Sequence, residues 1–386
     1  MRYFYGQYRG EEFPTPDRLF RVEQLLDFIV RHGEQALKAM EQLMREGADP
    51  QQLEALDQIM KEGLLYRDGA GRLRLTPRAI GRMERKALME VFSHLRAGQR
   101  EGHEKITPGR GGERIEGTKP YEFGDPVSEI DVHQSLHNAL RRQGLPRPGT
   151  RPIIRLSERD LEMHLHEGLT SCSTVILLDQ SGSMMRYGRF AAAKRVAMAM
   201  QALVRGRFPQ DTLDIVGFFS GAARIPEWLL PLAMPKPVTI FDYNVRLRVP
   251  LEKLLSAPQH FTNLHMGLQL ARRILRRRTS ENKQVFIITD GQPTAHVEGE
   301  YVYLLYPPDQ RSTVETLKEA VLAVREGIRI CTFALIEDYW GMEWVGFVEQ
   351  LTRLTKGVAF YTSAGELASC IMESYMSGRK KKTYIA

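Results

Sequence analysis

The stretch Val175-Ile176-Leu177-Leu178-Asp179-Gln180-Ser181-Gly182-Ser183 decides the fold. A short apolar run that ends on polar residues is how a buried parallel strand reads. A second run, Val285-Phe286-Ile287-Ile288-Thr289, leads in the same way into Asp290-Gly291, and Phe261-Thr262-Asn263 lies between the two. Open α/β sheets bind ligands outside the carboxyl ends of their strands. The oxygens of Asp179, Ser181, Ser183, Thr262 and Asp290 are therefore expected to converge on one crevice.

Working outward, strands are expected at 174–178, 213–219, 285–289, 329–336 and 358–361, with an antiparallel edge strand at 224–230. Helices are expected at about 188–204, 265–278, 314–326, 342–354 and 364–375. This alternation predicts an α/β fold, a doubly wound, mainly parallel sheet with helices on both faces.

The five residues are two carboxylates and three hydroxyls, all hard donors, with no Cys or His among them. Such a set favours a hard, six-coordinate cation, Mg²⁺, with Mn²⁺ or Ca²⁺ as substitutes. In an extended loop, side chains at i, i+2 and i+4 point the same way, so Asp179, Ser181 and Ser183 face one point. Gly182 lets the backbone turn between them. Mg²⁺ rarely takes all its ligands from protein, so a position is expected to stay open for water or a partner's oxygen. Taken alone, Asp-x-Ser-x-Ser also suits a turn capped by its own side chains.

This D-x-S-x-S…T…D-G set resembles the metal-ion-dependent adhesion site of von Willebrand factor A (VWA) domains, a Rossmann-like family, over roughly residues 172–378. The resemblance implies that Ser181, Ser183 and Thr262 touch the metal by hydroxyl and that Asp179 and Asp290 act directly or through water. It also implies a partner that supplies an Asp or Glu to the ion. Leu178 to Met184 and Ile288-Thr289-Asp290-Gly291-Gln292-Pro293-Thr294 resemble the bacterial intracellular branch that includes the magnesium chelatase D subunit. Members of that branch accompany AAA+ ATPases of the MoxR or chelatase type. The implied function is a non-catalytic, Mg²⁺-dependent protein–protein interaction module in a chaperone-like or metal-insertion assembly. Loops around Gln180, Met184, Asn263 and Gln292 would set specificity. No G-x-x-x-x-G-K-[ST] occurs, so ATP hydrolysis is not expected of this chain itself.

Residues 1–100 read as a mostly helical domain. Thr15 and Asp17 are candidate caps, and helices are expected at 33–46, 50–61 and 77–95, the last opened by Thr76-Pro77. A hairpin is expected around Asp68-Gly69. That order resembles a winged helix, which makes a nucleic-acid-binding regulator one alternative function. Arg67, Arg72 and Arg74 would touch phosphates from the wing, although helix 50–61, with Glu54 and Asp57, suits a DNA groove poorly.

Residues 101–170 read as a Gly- and charge-rich linker, a helix at 127–142 and an edge strand at 161–166. His133 with His137, and His164 with His166, share faces but lack a metal-binding motif. The VWA-like segment spans 171–378, and a basic tail fills 379–386. The net charge is +7, concentrated in Arg272, Arg273, Arg276, Arg277 and Arg278 and in that tail. Neither cluster has the interleaved aromatics that stacking on bases needs, so nucleic acid is not the expected partner.

Three cysteines (Cys172, Cys331 and Cys370) lie in or beside apolar runs and read as buried thiols of a reducing compartment. No apolar run approaches the ~18 residues of a membrane span, and the opening residues lack an apolar secretion signal. A cytoplasmic protein is expected. A metal-dependent hydrolase is the second alternative; it would need a general base, for which only His265 and His296 stand close in sequence.

Overall fold

The computed structural model describes residues 22–46, 56, 59–94, 114–122, 130–144, 154–166, 171–280, 282–336 and 342–377. In chain order the elements are α1 (Val22–His32), α2 (Glu34–Glu46), β1 (Leu65–Arg67), β2 (Leu73–Leu75), α3 (Pro77–His94), β3 (Arg114–Pro120), α4 (Val132–Gln143) and β4 (Glu162–His166). They continue with β5 (Cys172–Asp179), α5 (Arg189–Arg207), β6 (Thr212–Phe218), β7 (Ala222–Arg224), β8 (Val245–Pro250), α6 (Leu264–Arg276), β9 (Asn282–Thr289), β10 (Ala295–Glu298) and β11 (Tyr301–Tyr306). The last are α7 (Gln310–Arg325), β12 (Ile328–Leu335), α8 (Met342–Thr355), β13 (Val358–Thr362) and α9 (Leu367–Ser377). They form two compact units, one drawn from both sides of the 99–171 segment and one made by that segment.

The larger unit is built on a six-stranded sheet of order β13-β12-β9-β5-β6-β7, parallel except for β7. Val175 to Asp179 in β5 expose no surface. Ile176, Leu178, Phe286 and Ile288 belong to one core with buried residues of α5 and α9. Val175, Leu177, Val285 and Ile287 belong to the other, with α6, α7 and α8. Alternate residues of each strand thus enter opposite layers, and helices cover both faces as expected. β5 and β9 are neighbours in parallel register, Leu178 beside Ile288, so the polar residues that end both strands emerge side by side.

Several expectations change. The edge strand expected at 224–230 ends at Arg224: Pro226 and Pro231 have no N–H to give a ladder, and Glu227–Leu232 turns as a 3₁₀ helix. A second, antiparallel sheet of order β10-β11-β8 was not anticipated. In the smaller unit, residues 114–120 of the expected linker form β3, antiparallel to β4. α4 begins at Val132 because Asp131 caps it, accepting the Gln134 N–H at 3.0 Å. There Arg142 forks onto Asp160 at 2.9 and 2.7 Å and holds that carboxyl below its usual range.

The hairpin β1–β2 forms around Asp68, whose Oδ1 accepts the N–H groups of Ala70 and Arg72 at 3.0 and 2.9 Å. Thr76 caps α3 through the Ala79 N–H, 3.2 Å. The caps at Thr15 and Asp17, most of helix 50–61, residues 125–129 and the basic tail lie outside the described residues.

The helices of residues 22–94 share a core with the sheet layer beneath them. Met83, Ala87 and Val91 of α3 are buried in the same cluster as Val196, Met200 and Leu203 of α5. Eleven residues of α5 are buried, the pattern of a helix enclosed on more than one side. Gly33 (φ 58°) lies at a close approach: a Cβ there would lie 2.6 Å from the Leu232 carbonyl oxygen. Among the described residues no helix is long and apolar enough to cross a membrane.

Candidate functional site

The end of β5 supplies Asp179, which has no exposed surface. Its Oδ1 accepts the Ser181 N–H at 2.8 Å, and its Oδ2 accepts the Thr289 hydroxyl from the end of β9 at 2.6 Å. The Ser181 hydroxyl lies 3.1 Å from that of Ser183. The Ser183 hydroxyl donates to Asp290 Oδ1 at 2.7 Å, across two loops that are 107 residues apart in sequence. Four of the five expected residues are therefore joined in one hydrogen-bonded chain. Both ends of the chain are enclosed carboxylates, and Ser183 between them is exposed to solvent.

Thr262, the fifth expected residue, is anchored by its backbone to Thr294. Its N–H donates to Thr294 Oγ1 at 2.8 Å, and its carbonyl accepts the Thr294 N–H at 3.0 Å. The same loop accepts the Gly182 N–H on the His260 carbonyl, 3.0 Å. Gly182 is required here: a Cβ would sit 2.5 Å from Val238 Cγ2 and 3.3 Å from His260 Cβ.

Charge sets the character of the site. Burial first, and then the neighbouring Asp290 carboxylate, push the Asp179 carboxyl well above its ordinary range, against the pull of its hydrogen bonds. Asp290 is itself enclosed and has one cationic partner, Arg189, whose Nη1 donates to Oδ2 at 2.9 Å. Sequence reasoning missed Arg189. It opens α5, and its Cζ lies 5.0 Å from the centroid of the Tyr187 ring. Two enclosed carboxylates and the hydroxyls of Ser181 and Ser183 are hard donors of the kind that suits a hard cation, and the Arg189 guanidinium opposes one.

In the loops expected to set specificity, Gln180, Met184 and Asn263 themselves are buried. Gln180 is buried, its amide donating to the Met234 carbonyl at 3.0 Å. Met184 is fully buried. Asn263 is buried, capping α6 at the Met266 N–H and donating to the Ser220 carbonyl. The exposed residues of the loop around Met184 are Ser183, Met185, Arg186 and Tyr187.

The histidines expected as candidate bases are engaged elsewhere. His265 Nδ1 accepts the Val297 N–H at 3.0 Å, and burial pulls the ring down to about 4. His296 lies between Ser312 Oγ at 2.9 Å and Glu298 Oε1 at 3.2 Å, with 1% of its surface exposed. His164 of the smaller unit stands 3.6 Å from Asp131. Among the described residues no group of three or more His, Cys, Asp or Glu is placed to hold a metal.

Part of the basic helix is paired within the fold. Arg272 pairs with Glu319 and Glu326, Arg276 with Glu326, and Arg278 with Asp214. On the hairpin, Arg72 and Arg74 both pair with Asp68, at 3.2 and 3.1 Å. Cys331 is buried, whereas Cys172 and Cys370 are half-buried rather than enclosed.

Comparison with known proteins places the chain. An uncharacterized protein of Mycobacterium tuberculosis, Rv0959, is 31% identical over 326 residues, as is its Mycobacterium bovis counterpart. The match covers 83% of this chain and 44% of each relative, so the chain spans less than half the length of the curated relatives it matches. The hypothetical protein BatB of Bacteroides thetaiotaomicron is similar in structure at 17% identity and TM-score 0.36, over 54% of this chain and 98% of BatB. The vWF domain of the pilus tip protein Mfa5 of Porphyromonas gingivalis is similar at 14% identity and TM-score 0.38, over 56% and 98%. Residues 113–165 match the model of the third domain of Rv0959-like proteins. Residues 172–376, just over half of the chain, match the model of the vWA domain of Rv0959-like proteins, and the chain belongs to that family.

Proposed function

We propose that this chain is a divalent-cation-dependent protein–protein recognition module. The observation that carries the reading is the continuous set Asp179–Ser181–Ser183–Asp290, with an enclosed carboxylate at each end and Ser183 open to solvent between them. With Thr262, these residues would hold Mg²⁺, or Mn²⁺ or Ca²⁺ in its place. The ion would supply an electron-poor centre that accepts an Asp or Glu carboxylate from a partner. Asp179 and Asp290 provide the negative charge, Thr289 and the Ser181 N–H orient Asp179, and Gly182 lets the loops approach. The partner we favour is a cytoplasmic AAA+ ATPase of the MoxR or magnesium-chelatase type, or its client. The resemblance of the Asp179 and Asp290 loops to that branch supports this choice. A hydrolase at the same site would need a general base, and the engaged nitrogens of His265 and His296 favour recognition over turnover.

The test is Mg²⁺ binding by calorimetry, followed by capture of partners from the native host's lysate with Mg²⁺ or EDTA. The wild-type chain is expected to bind the ion and to retain a partner only with Mg²⁺. Asp179→Ala is expected to lose both. Unchanged ion and partner binding in Asp179→Ala would sink the reading.

A further inference from the structure

We propose that Arg189 is a resident counter-ion of the cation site, one that an arriving divalent ion must displace and that therefore sets the site's affinity. The inference rests on the metal-dependent reading above and goes beyond it by naming what opposes the metal. Asp179 and Asp290 are both enclosed, and a cation beside them offsets their negative charge. Arg189 supplies it to Asp290 through Nη1. The guanidinium is only partly satisfied, because its Nε is buried with no hydrogen-bond partner. A single contact through Nη1, without the two-pronged geometry that makes Arg–carboxylate pairs strong, holds it to Asp290.

Arg189 also has somewhere to go. Its guanidinium already stands 5.0 Å from the centroid of Tyr187, and Tyr187 is 60% exposed. A shift onto that ring would keep a cation–π contact while freeing Asp290. Tyr187 (φ 54°) and Gly188 (φ 68°) are both left-handed, so the backbone bends sharply just before Arg189. A divalent ion that uses Asp290, directly or through water, meets Arg189 as a fixed like charge in an enclosed site. Once displaced toward Tyr187, the guanidinium stands at the mouth beside exposed Arg186, where a partner's carboxylate would arrive. Metal and acidic partner would then strengthen each other's binding.

The experiment is titration of the full chain with Mn²⁺, read as loss of the free-ion electron paramagnetic resonance signal. Arg189→Gln is expected to bind Mn²⁺ about tenfold more tightly than wild type, because a like charge is removed from an enclosed site. Arg189→Lys is expected to stay near wild type. Equal affinity in Arg189→Gln, or weaker binding by a variant whose circular dichroism and melting match wild type, would overturn the counter-ion role and leave the metal site standing. Tyr187→Ala keeps the ion pair but removes its outward seat, and is expected to weaken Mn²⁺ binding about threefold. An unchanged affinity there counts against displacement even if Arg189→Gln fails to fold. Absence of Mn²⁺ binding by wild type and variants alike would overturn both this inference and the reading it rests on.

Discussion

At the scale of single residues, one glycine does as much for the site as the oxygens. Gly182 lies where the Asp179 loop touches Val238 and His260, and a methyl group there has no room. Gly182→Ala is expected to cost about 1–3 kcal/mol of stability, as overpacking does, and to spread Ser181 from Ser183. Urea unfolding reads the first effect and Mn²⁺ affinity the second. A variant that loses stability but keeps full affinity would mean that the loop adapts without moving the hydroxyls. At this scale the sequence was informative about four oxygens and silent about Arg189. Asp179 ends β5 and Asp290 follows the neighbouring strand, so topology brings the carboxylates together; Ser183 reaches Asp290 from a 3₁₀ helix, Gly182–Gly188, and not from the extended loop that the alternation predicted. Arg189 meets Asp290 only because α5 starts where the 3₁₀ helix Gly182–Gly188 ends, and no spacing in the chain announces that.

At the scale of elements, the contact of α3 with α5 carries a titratable group. Glu84 of α3 is 2% exposed and reaches Arg205 of α5 at 3.2 Å, while Arg205 also holds Glu227. Burial raises the Glu84 carboxyl to about 7; the Arg205 charge opposes the rise and the Glu227 charge adds to it. The folded chain thus holds this proton to higher pH than the unfolded chain does. Glu84 therefore favours folding at low pH, and that contribution is lost as pH rises from the ordinary carboxylate range through about 7. Glu84→Gln is expected to raise stability at pH 8 by about 1–2 kcal/mol and to change it little at pH 5. Chemical denaturation at the two pH values checks this, and equal effects at both would show that Arg205 fully compensates the charge. The elements of the main sheet were legible because buried parallel strands read as unbroken apolar runs. The sheet of β8, β10 and β11 was missed for another reason. Val245, Leu247 and Val249 alternate with Arg246 and Arg248, a fair strand pattern. The partner β11 arrives only after α6 and β9, and nothing local signals the pairing.

At the scale of the molecule, residues 1–100 and 171–378 read in sequence as separate domains, because a long stretch rich in Gly and charge parts them. In the fold, the described helices of the first share an apolar core with α5 of the second. The signal was present in α5, whose apolar residues leave no clear polar face, but a helix covered by more sheet would read the same way. Residues 172–386 expressed alone would uncover the surface of α5 that meets α3. That fragment is expected to melt well below the full chain and to aggregate at micromolar concentration. Differential scanning calorimetry and light scattering on both proteins check this; matching melting temperatures would mean that α1 to α3 only decorate a self-sufficient sheet.

The shared core also fixes an order of events during synthesis. Helices α1 to α3 leave the ribosome before β5 and α5 have been made, with the whole 99–171 segment between them. Their apolar faces must wait for a partner surface encoded much later, and contacts of such wide sequence separation form slowly. Until then the nascent chain carries an unfinished core, the state in which chaperones are most often engaged.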